Sequence, residues 1–169
     1  VDLELGYYYR KVIKNEEINY GIFVDYLVEK YVDFLKLTNL DKSSMVVKGL
    51  NLTVLKYGDF ATSYIQRIIT ENIENKNEVL QAKKKLNTVM ESYSARNNAT
   101  LNFNIKLQQV CLNEGWKYFD VNEYLSDFTV GKGILDRFIP SGFDHHLCDS
   151  VEVRKMHLSE LNKIQREMK

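Results

Sequence analysis

The sequence has little cysteine, no net charge and no long apolar run. Two cysteines, Cys111 and Cys148, cannot form a disulfide framework, which favours reduced thiols and a cytoplasmic location. No apolar run reaches the 18 residues that mark a transmembrane helix, so we expect a soluble protein without a membrane span. The 23 basic and 23 acidic side chains cancel, so no net field attracts nucleic acid and we expect no nucleic-acid partner.

Several catalytic and targeting motifs are also missing. The chain has no Gly-rich phosphate loop, no Gly-x-Ser-x-Gly elbow and no Cys-x-x-Cys pair. Residues 1–5 have neither the basic start nor the apolar centre of a signal peptide, and the first residue is not Met. We therefore expect part of the domain to precede Val1.

The residues that are present predict one α/β domain over residues 1–169. Apolar residues at helical spacing over residues 22–37 predict a helix that buries Phe23, Tyr26, Leu27, Tyr31, Phe34 and Leu35. Apolar runs at residues 45–50 and 116–121 predict buried strands. Further helices are predicted near residues 60–73, 78–93, 101–114 and 149–169, with a loop over residues 94–99. This alternation predicts a three-layer, flavodoxin-like parallel sheet with crossover helices, incomplete at its N-terminus.

The run Asp144-His145-His146 is the stretch most suited to chemistry. Ligands of parallel α/β sheets collect beyond the carboxyl ends of the strands, and the loop after residues 116–121 leads to this run. An aspartate fixes the tautomer of a neighbouring imidazole, which then deprotonates a serine. Alternate side chains of an extended loop share a side. We therefore predict His146 as general base, Asp144 as its partner and His145 as the fallback base, with Leu147 anchoring the loop. The alternative is a polar loop that only satisfies backbone groups.

Two weaker interpretations concern a metal and an oxyanion. The possible metal ligands are Asp144, His145, His146 and Cys148, with Cys111 or His157 further away. Adjacent residues rarely converge on one tetrahedral ion, so we expect no metal and no other cofactor. His157 has the helical spacing of a histidine at the edge of the core.

The amide of Asn51, after the first strand, could bind an oxyanion, although an ordinary turn is the alternative.

The order of these features resembles the SGNH, or GDSL-like, hydrolase family over most of residues 22–167. The features are a helix carrying Arg96, Asn104 and Cys111, then Gly115-Trp116-Lys117-Tyr118-Phe119-Asp120-Val121, then an Asp-His pair before the last helix. That family has an Asp-x-x-His-Leu block in which the histidine is the base. Here the spacing from Asp144 to His146 is one residue shorter, and His146-Leu147 keeps the His-Leu pair.

The resemblance implies a serine-type ester hydrolase or acyl transferase that acts on an acylated glycan or lipid. The family's Gly-Asp-Ser block does not occur, so the missing N-terminal part of the domain would supply the serine. Val1-Asp2 would then end the family's Gly-x-Asn-Asp block, or Gly49-Leu50-Asn51 would form it. The alternative function is a non-catalytic α/β interaction or structural module within a larger protein.

Overall fold

A computed structural model describes residues 2–126, 133–142 and 144–168 of the chain, so Val1 lies outside the described residues. The described residues form seven α-helices and two strands. In chain order these are α1 (Leu3–Tyr8), α2 (Tyr20–Leu37), β1 (Val46–Lys48), α3 (Gly58–Ile69), α4 (Lys76–Val89), α5 (Tyr93–Glu114), β2 (Lys117–Phe119), α6 (Asn122–Leu125) and α7 (Val151–Glu167). A π-helical segment, Tyr9–Ile13, continues α1.

The two predicted strands pair with each other and run parallel, as expected. Val47 of β1 lies opposite Tyr118 of β2, and the backbone N–H of Gly49 donates to the carbonyl of Phe119 at 2.8 Å. Each strand has three residues and is shorter than the apolar run that contains it. The parallel pairing brings the carboxyl ends of both strands to one edge of the sheet.

The predicted three-layer, flavodoxin-like sheet is wrong. The described residues contain only this two-stranded sheet, and the fold is mostly helical. A strand of three residues is about 10 Å long. Two such strands offer too little surface to separate two layers of helices, so the helices also pack directly against one another. The contacts between α2 and α5 and between α3 and α4 carry much of this packing.

Helix α5 begins earlier than predicted. Residues 94–99 were expected to form a loop, but the helix starts at Tyr93, and the Ser92 side chain accepts the N–H of Ala95 at 3.1 Å. Such a cap satisfies one of the unpaired N–H groups of the first turn. The helix ends at Gly115, which has φ +75°, as its position in the sequence indicated.

Helix α2 buries part of the predicted face. Phe23 is buried, and Leu27, Tyr31 and Leu35 are partly buried against the core, whereas Tyr26 and Phe34 are exposed. The buried face also contains Val24, Val28 and Val32, spaced four apart. Residues four apart lie on one face of a helix, so the buried face is turned toward these valines.

The core divides into two clusters on either side of the small sheet. The larger cluster contains buried residues of α1 to α5 together with Val47, and the smaller one contains Phe119, Val153 and Ile164. Helix α7 packs on β2 from the second side. None of the helices in the described ranges is long and apolar enough to cross a membrane. The loop after β1 and the loop before α7 meet beside the sheet, and a cleft opens between them.

Candidate functional site

A cleft of about 550 Å³ lies beyond the carboxyl end of β1. The start of α1, the loop after β1, the middle of α5 and the loop before α7 form its walls. Polar lining residues include Lys48, Asn51, His145 and His146. Apolar lining residues include Leu3, Leu50, Leu52, Phe103, Leu147 and Val153. The cleft can therefore receive an apolar group and also offers hydrogen-bond donors and imidazole nitrogens.

Two buried asparagines fix the loop that follows β1. Asn104 accepts the N–H of Leu50 and donates to its carbonyl, both at 2.8 Å. Asn122 donates to the same carbonyl at 2.9 Å and accepts the N–H of Leu52 at 3.0 Å. Buried amides with such partners satisfy backbone groups that would otherwise be stranded away from water. The floor of the cleft is therefore held by side chains from α5 and α6.

An ion pair ties α1 and α5 to the same loop. Arg96 is 2% exposed, pairs with Glu4, and donates to the carbonyl of Leu55 at 2.6 Å. Glu4 in turn accepts the hydroxyl of Thr53 at 2.8 Å, and Asn97 accepts the N–H of Thr53 at 3.0 Å. A buried arginine needs such a partner because an unpaired buried charge is costly. Helix α1 is thereby held against the cleft.

Asp144 organises the histidine loop. Its Oδ1 atom accepts the backbone N–H groups of His145 at 2.6 Å and His146 at 3.1 Å, and lies 2.7 Å from Nδ1 of His146. These hydrogen bonds favour the charged carboxylate. The N–H of His146 and its ring hold the pKa of Asp144 below its ordinary value. The carboxylate therefore stays ionised while it orients His146.

The structure brings His146 and Asp144 into contact, as the sequence predicted. With Nδ1 facing the carboxylate, Nε2 is the nitrogen left to accept a proton from a nucleophile. The His146 side chain is 71% exposed and lines the cleft. Open space around the ring is needed for a base that meets a substrate.

His145 does not point away from this pair, contrary to the alternation argument. Its ring centroid is 4.0 Å from that of His146, and its Nδ1 is 3.7 Å from Oδ1 of Asp144. The Tyr64 hydroxyl lies 2.5 Å from the same Nδ1, and Oδ2 of Asp2 lies 3.2 Å from Nε2. The loop is a turn here and not an extended strand. Both ring nitrogens of His145 therefore face a partner.

Leu147 and His157 lie where the sequence placed them. Leu147 packs against the core cluster that contains Val153 and Ile164, which anchors the loop on α7. His157 is half-buried, its Nδ1 is 2.9 Å from the carbonyl of Val153, and its ring meets the edge of Phe119. His157 is therefore a histidine at the edge of the core, although it also borders the cleft.

Asn51 lines the cleft, and Lys48 sets the orientation of its amide. The Lys48 ammonium donates to Oδ1 of Asn51 at 2.9 Å and to the carbonyl of Gly49 at 3.0 Å. This bond turns the amide so that its oxygen faces Lys48 and its NH₂ group faces the other way. Burial lowers the pKa of Lys48, and the negative charge of Asp120 opposes that shift.

The described residues that line the cleft include neither serine nor cysteine. Cys111 is fully buried in the core, and Cys148 donates its thiol to the carbonyl of Arg137 at 3.4 Å. By contrast, Asp144, His145 and His146 each offer one possible ligand atom, and these three atoms lie within 4.8 Å of one another. The described lining of the cleft therefore contains imidazoles but neither of these two nucleophilic residue types.

Comparison with known proteins finds no relative of this chain. No family model, no curated protein and no solved structure matches the chain. The resemblance to the SGNH hydrolases therefore depends only on the short motifs and their order.

Sequence reasoning missed several polar residues that line the cleft or bond to its loops, namely Glu4, Lys48, Tyr64, Asn97 and Asn122. One signal was available. Arg96, Thr100 and Asn104 are spaced four apart, and all three are buried on one face of α5. A polar stripe at helical spacing indicates a buried polar network when the segment is already taken as helical.

Proposed function

We propose that the chain supplies the base half of an ester hydrolase or acyl transferase site resembling that of the SGNH hydrolases. The observation that carries the proposal is the Asp144–His146 pair, 2.7 Å apart, at the rim of the cleft. A carboxylate that orients an imidazole beside open space is the arrangement by which enzymes activate a hydroxyl nucleophile.

The proposed chemistry begins with a serine hydroxyl from a segment outside the described cleft residues. Nε2 of His146 takes the hydroxyl proton as the oxygen attacks the ester carbonyl, and Asp144 stabilises the resulting imidazolium. The NH₂ group of Asn51 donates to the oxyanion that forms. His146 then gives its proton to the departing alcohol oxygen, and water or an acceptor alcohol releases the acyl group by the reverse sequence.

Two kinds of side chain in the lining of the cleft support the proposed substrate. Apolar side chains such as Leu50, Phe103 and Leu147 suit an acyl chain, while Lys48 and Asn51 suit a polar carbonyl or sugar hydroxyl. We propose an acylated glycan or lipid, in agreement with the family that the motifs resemble.

The test uses the protein encoded by the complete reading frame that contains this chain. A fluorophosphonate probe, which labels serines activated by a base, should label one serine, and p-nitrophenyl acetate should be hydrolysed. His146→Ala should remove both signals. Wild-type protein without labelling or hydrolysis contradicts the proposal and favours a non-catalytic module. Labelling that His146→Ala leaves unchanged also contradicts it.

A further inference from the structure

The Asp144-His145-His146 loop has a second chemical capacity, independent of its role as a base. It gathers one carboxylate and two imidazoles, the ligand types that bind zinc and related first-row metals. The sequence argument against a metal was that adjacent residues rarely converge. The turn at His145 overcomes this, because it brings all three ligand atoms within 4.8 Å of one another.

The distances among these atoms fit a single ion. Oδ1 of Asp144 is 2.7 Å from Nδ1 of His146 and 3.7 Å from Nδ1 of His145. Ligands bound tetrahedrally to Zn²⁺ at about 2.0–2.2 Å are separated by about 3.3 Å. The two observed distances lie on either side of this value. The spacing of the three ligand atoms, all within 4.8 Å of one another, is therefore close to that of ligands around a single ion.

A neighbouring carboxylate supports the same geometry. Oδ2 of Asp2 lies 3.2 Å from Nε2 of His145, on the opposite side of the ring from Asp144. Metal-bound histidines usually give their second nitrogen to a carboxylate, which orients the ring and strengthens the ligand. The Asp2 contact therefore places His145 as a ligand through Nδ1, where the ion would replace the Tyr64 hydroxyl.

We propose that Asp144, His145 and His146 bind one Zn²⁺ ion, or a similar divalent transition metal, through Oδ1 and the two Nδ1 atoms. Three protein ligands leave a fourth position for water, and the exposed side of His146 gives access to it. The inference rests on the ligand geometry and goes beyond the proposed ester chemistry.

Metal binding and base catalysis exclude each other at His146. As a base, His146 keeps a proton on Nδ1, which faces Asp144, whereas a metal requires a lone pair on that nitrogen. Zn²⁺ would therefore inhibit the proposed hydrolysis by occupying the Asp144–His146 pair.

The test measures Zn²⁺ binding directly, by competition with a fluorescent zinc chelator and without any ester. His145→Ala, His146→Ala and Asp144→Asn should each weaken binding at least about 10-fold, and Asp2→Asn should weaken it about 10-fold. Tyr64→Phe should bind as tightly as wild type or more tightly, because it removes the competing hydroxyl. His157→Gln, the matched control, should leave binding unchanged.

Nitrogen-15 NMR of the wild-type protein identifies the nitrogen atoms that bind the ion without relying on variants that could be unfolded. In wild-type protein, Zn²⁺ should shift the Nδ1 signals of His145 and His146 and leave those of His157 in place. Failure of wild type to bind, binding by His145→Ala and His146→Ala as tight as that of wild type, or a shift only at His157 would overturn the inference. Zinc binding without ester hydrolysis would refute only the proposed function, and hydrolysis without zinc binding would refute only this inference.

Discussion

Oδ1 of Asp144 contacts Nδ1 of His146 at 2.7 Å while accepting the backbone N–H groups of both His145 and His146. One oxygen therefore fixes the turn of the loop and the direction of the imidazole together. Charged hydrogen-bond acceptors of this kind are stronger than neutral ones. The geometry of the candidate base is thus built into the loop itself and does not need a distant residue to orient it.

Replacement of the two histidines should separate their roles. In the complete protein, His146→Ala should lower ester hydrolysis by about 10²–10⁴-fold, because the nucleophile loses its proton acceptor. His145→Ala, the matched control, should keep most of the activity, and Asp144→Asn should fall between the two. Initial rates with p-nitrophenyl acetate measure all three. A larger loss in His145→Ala than in His146→Ala would reassign the base to His145.

Gly49 lies where a side chain has no room. A Cβ atom there would collide with the Tyr118 hydroxyl and come within 3.0 Å of Oδ1 of Asn104. Overpacking of this kind typically costs about 1–3 kcal/mol, so Gly49→Ala should lower the free energy of unfolding by that amount. The control is Gly58→Ala, since no atom lies within 4 Å of a Cβ at the start of α3. Urea unfolding should show Gly58→Ala as stable as wild type or up to about 1 kcal/mol more stable.

Glu114 should make the free energy of unfolding depend on pH in the acid range. Hydrogen bonds from Lys36 and Lys42 lower the pKa of Glu114 from 4.5 to about 2. A carboxylate whose pKa is lower in the folded state stabilises the fold above its ordinary pKa and loses this effect as pH falls toward the folded value. The difference in unfolding free energy between wild type and Glu114→Gln should therefore be constant from pH 6 to 7 and shrink between about pH 4.5 and 2. A difference that stays constant down to pH 2 would contradict this coupling.

The two cysteines should differ in reactivity toward iodoacetamide. Burial raises the pKa of Cys111 to about 11, so only ~0.1% of it would be thiolate at pH 8, and the residue is fully buried. Cys148 is partly exposed and should react in the native protein. Peptide mass spectrometry should show Cys148 modified first and Cys111 modified only after unfolding in guanidinium chloride. Rapid native modification of Cys111 would contradict the packing around it.

The sequence by itself determined the features that depend on near neighbours along the chain. The apolar runs at residues 45–50 and 116–121 contain the two strands, and a glycine at residue 115 ends α5 with positive φ. The Asp144–His146 contact also needs only a turn of three residues. These features follow from side-chain type, local periodicity and the conformational freedom of glycine.

Only the tertiary structure decided what depends on residues far apart in the chain. The valine face of α2 is buried because α5 packs on it, and residues 94–99 are helical although their polar composition suggested a loop. Asn104 reaches Leu50 across 54 positions, and His145 reaches Asp2 from the other end of the chain. The number of strands in a sheet and the partners of a buried polar group are set by packing free energy summed over the whole molecule. Local periodicity in the sequence does not determine this packing free energy. The sequence therefore located the histidine loop, whereas only the structure revealed the cleft around it.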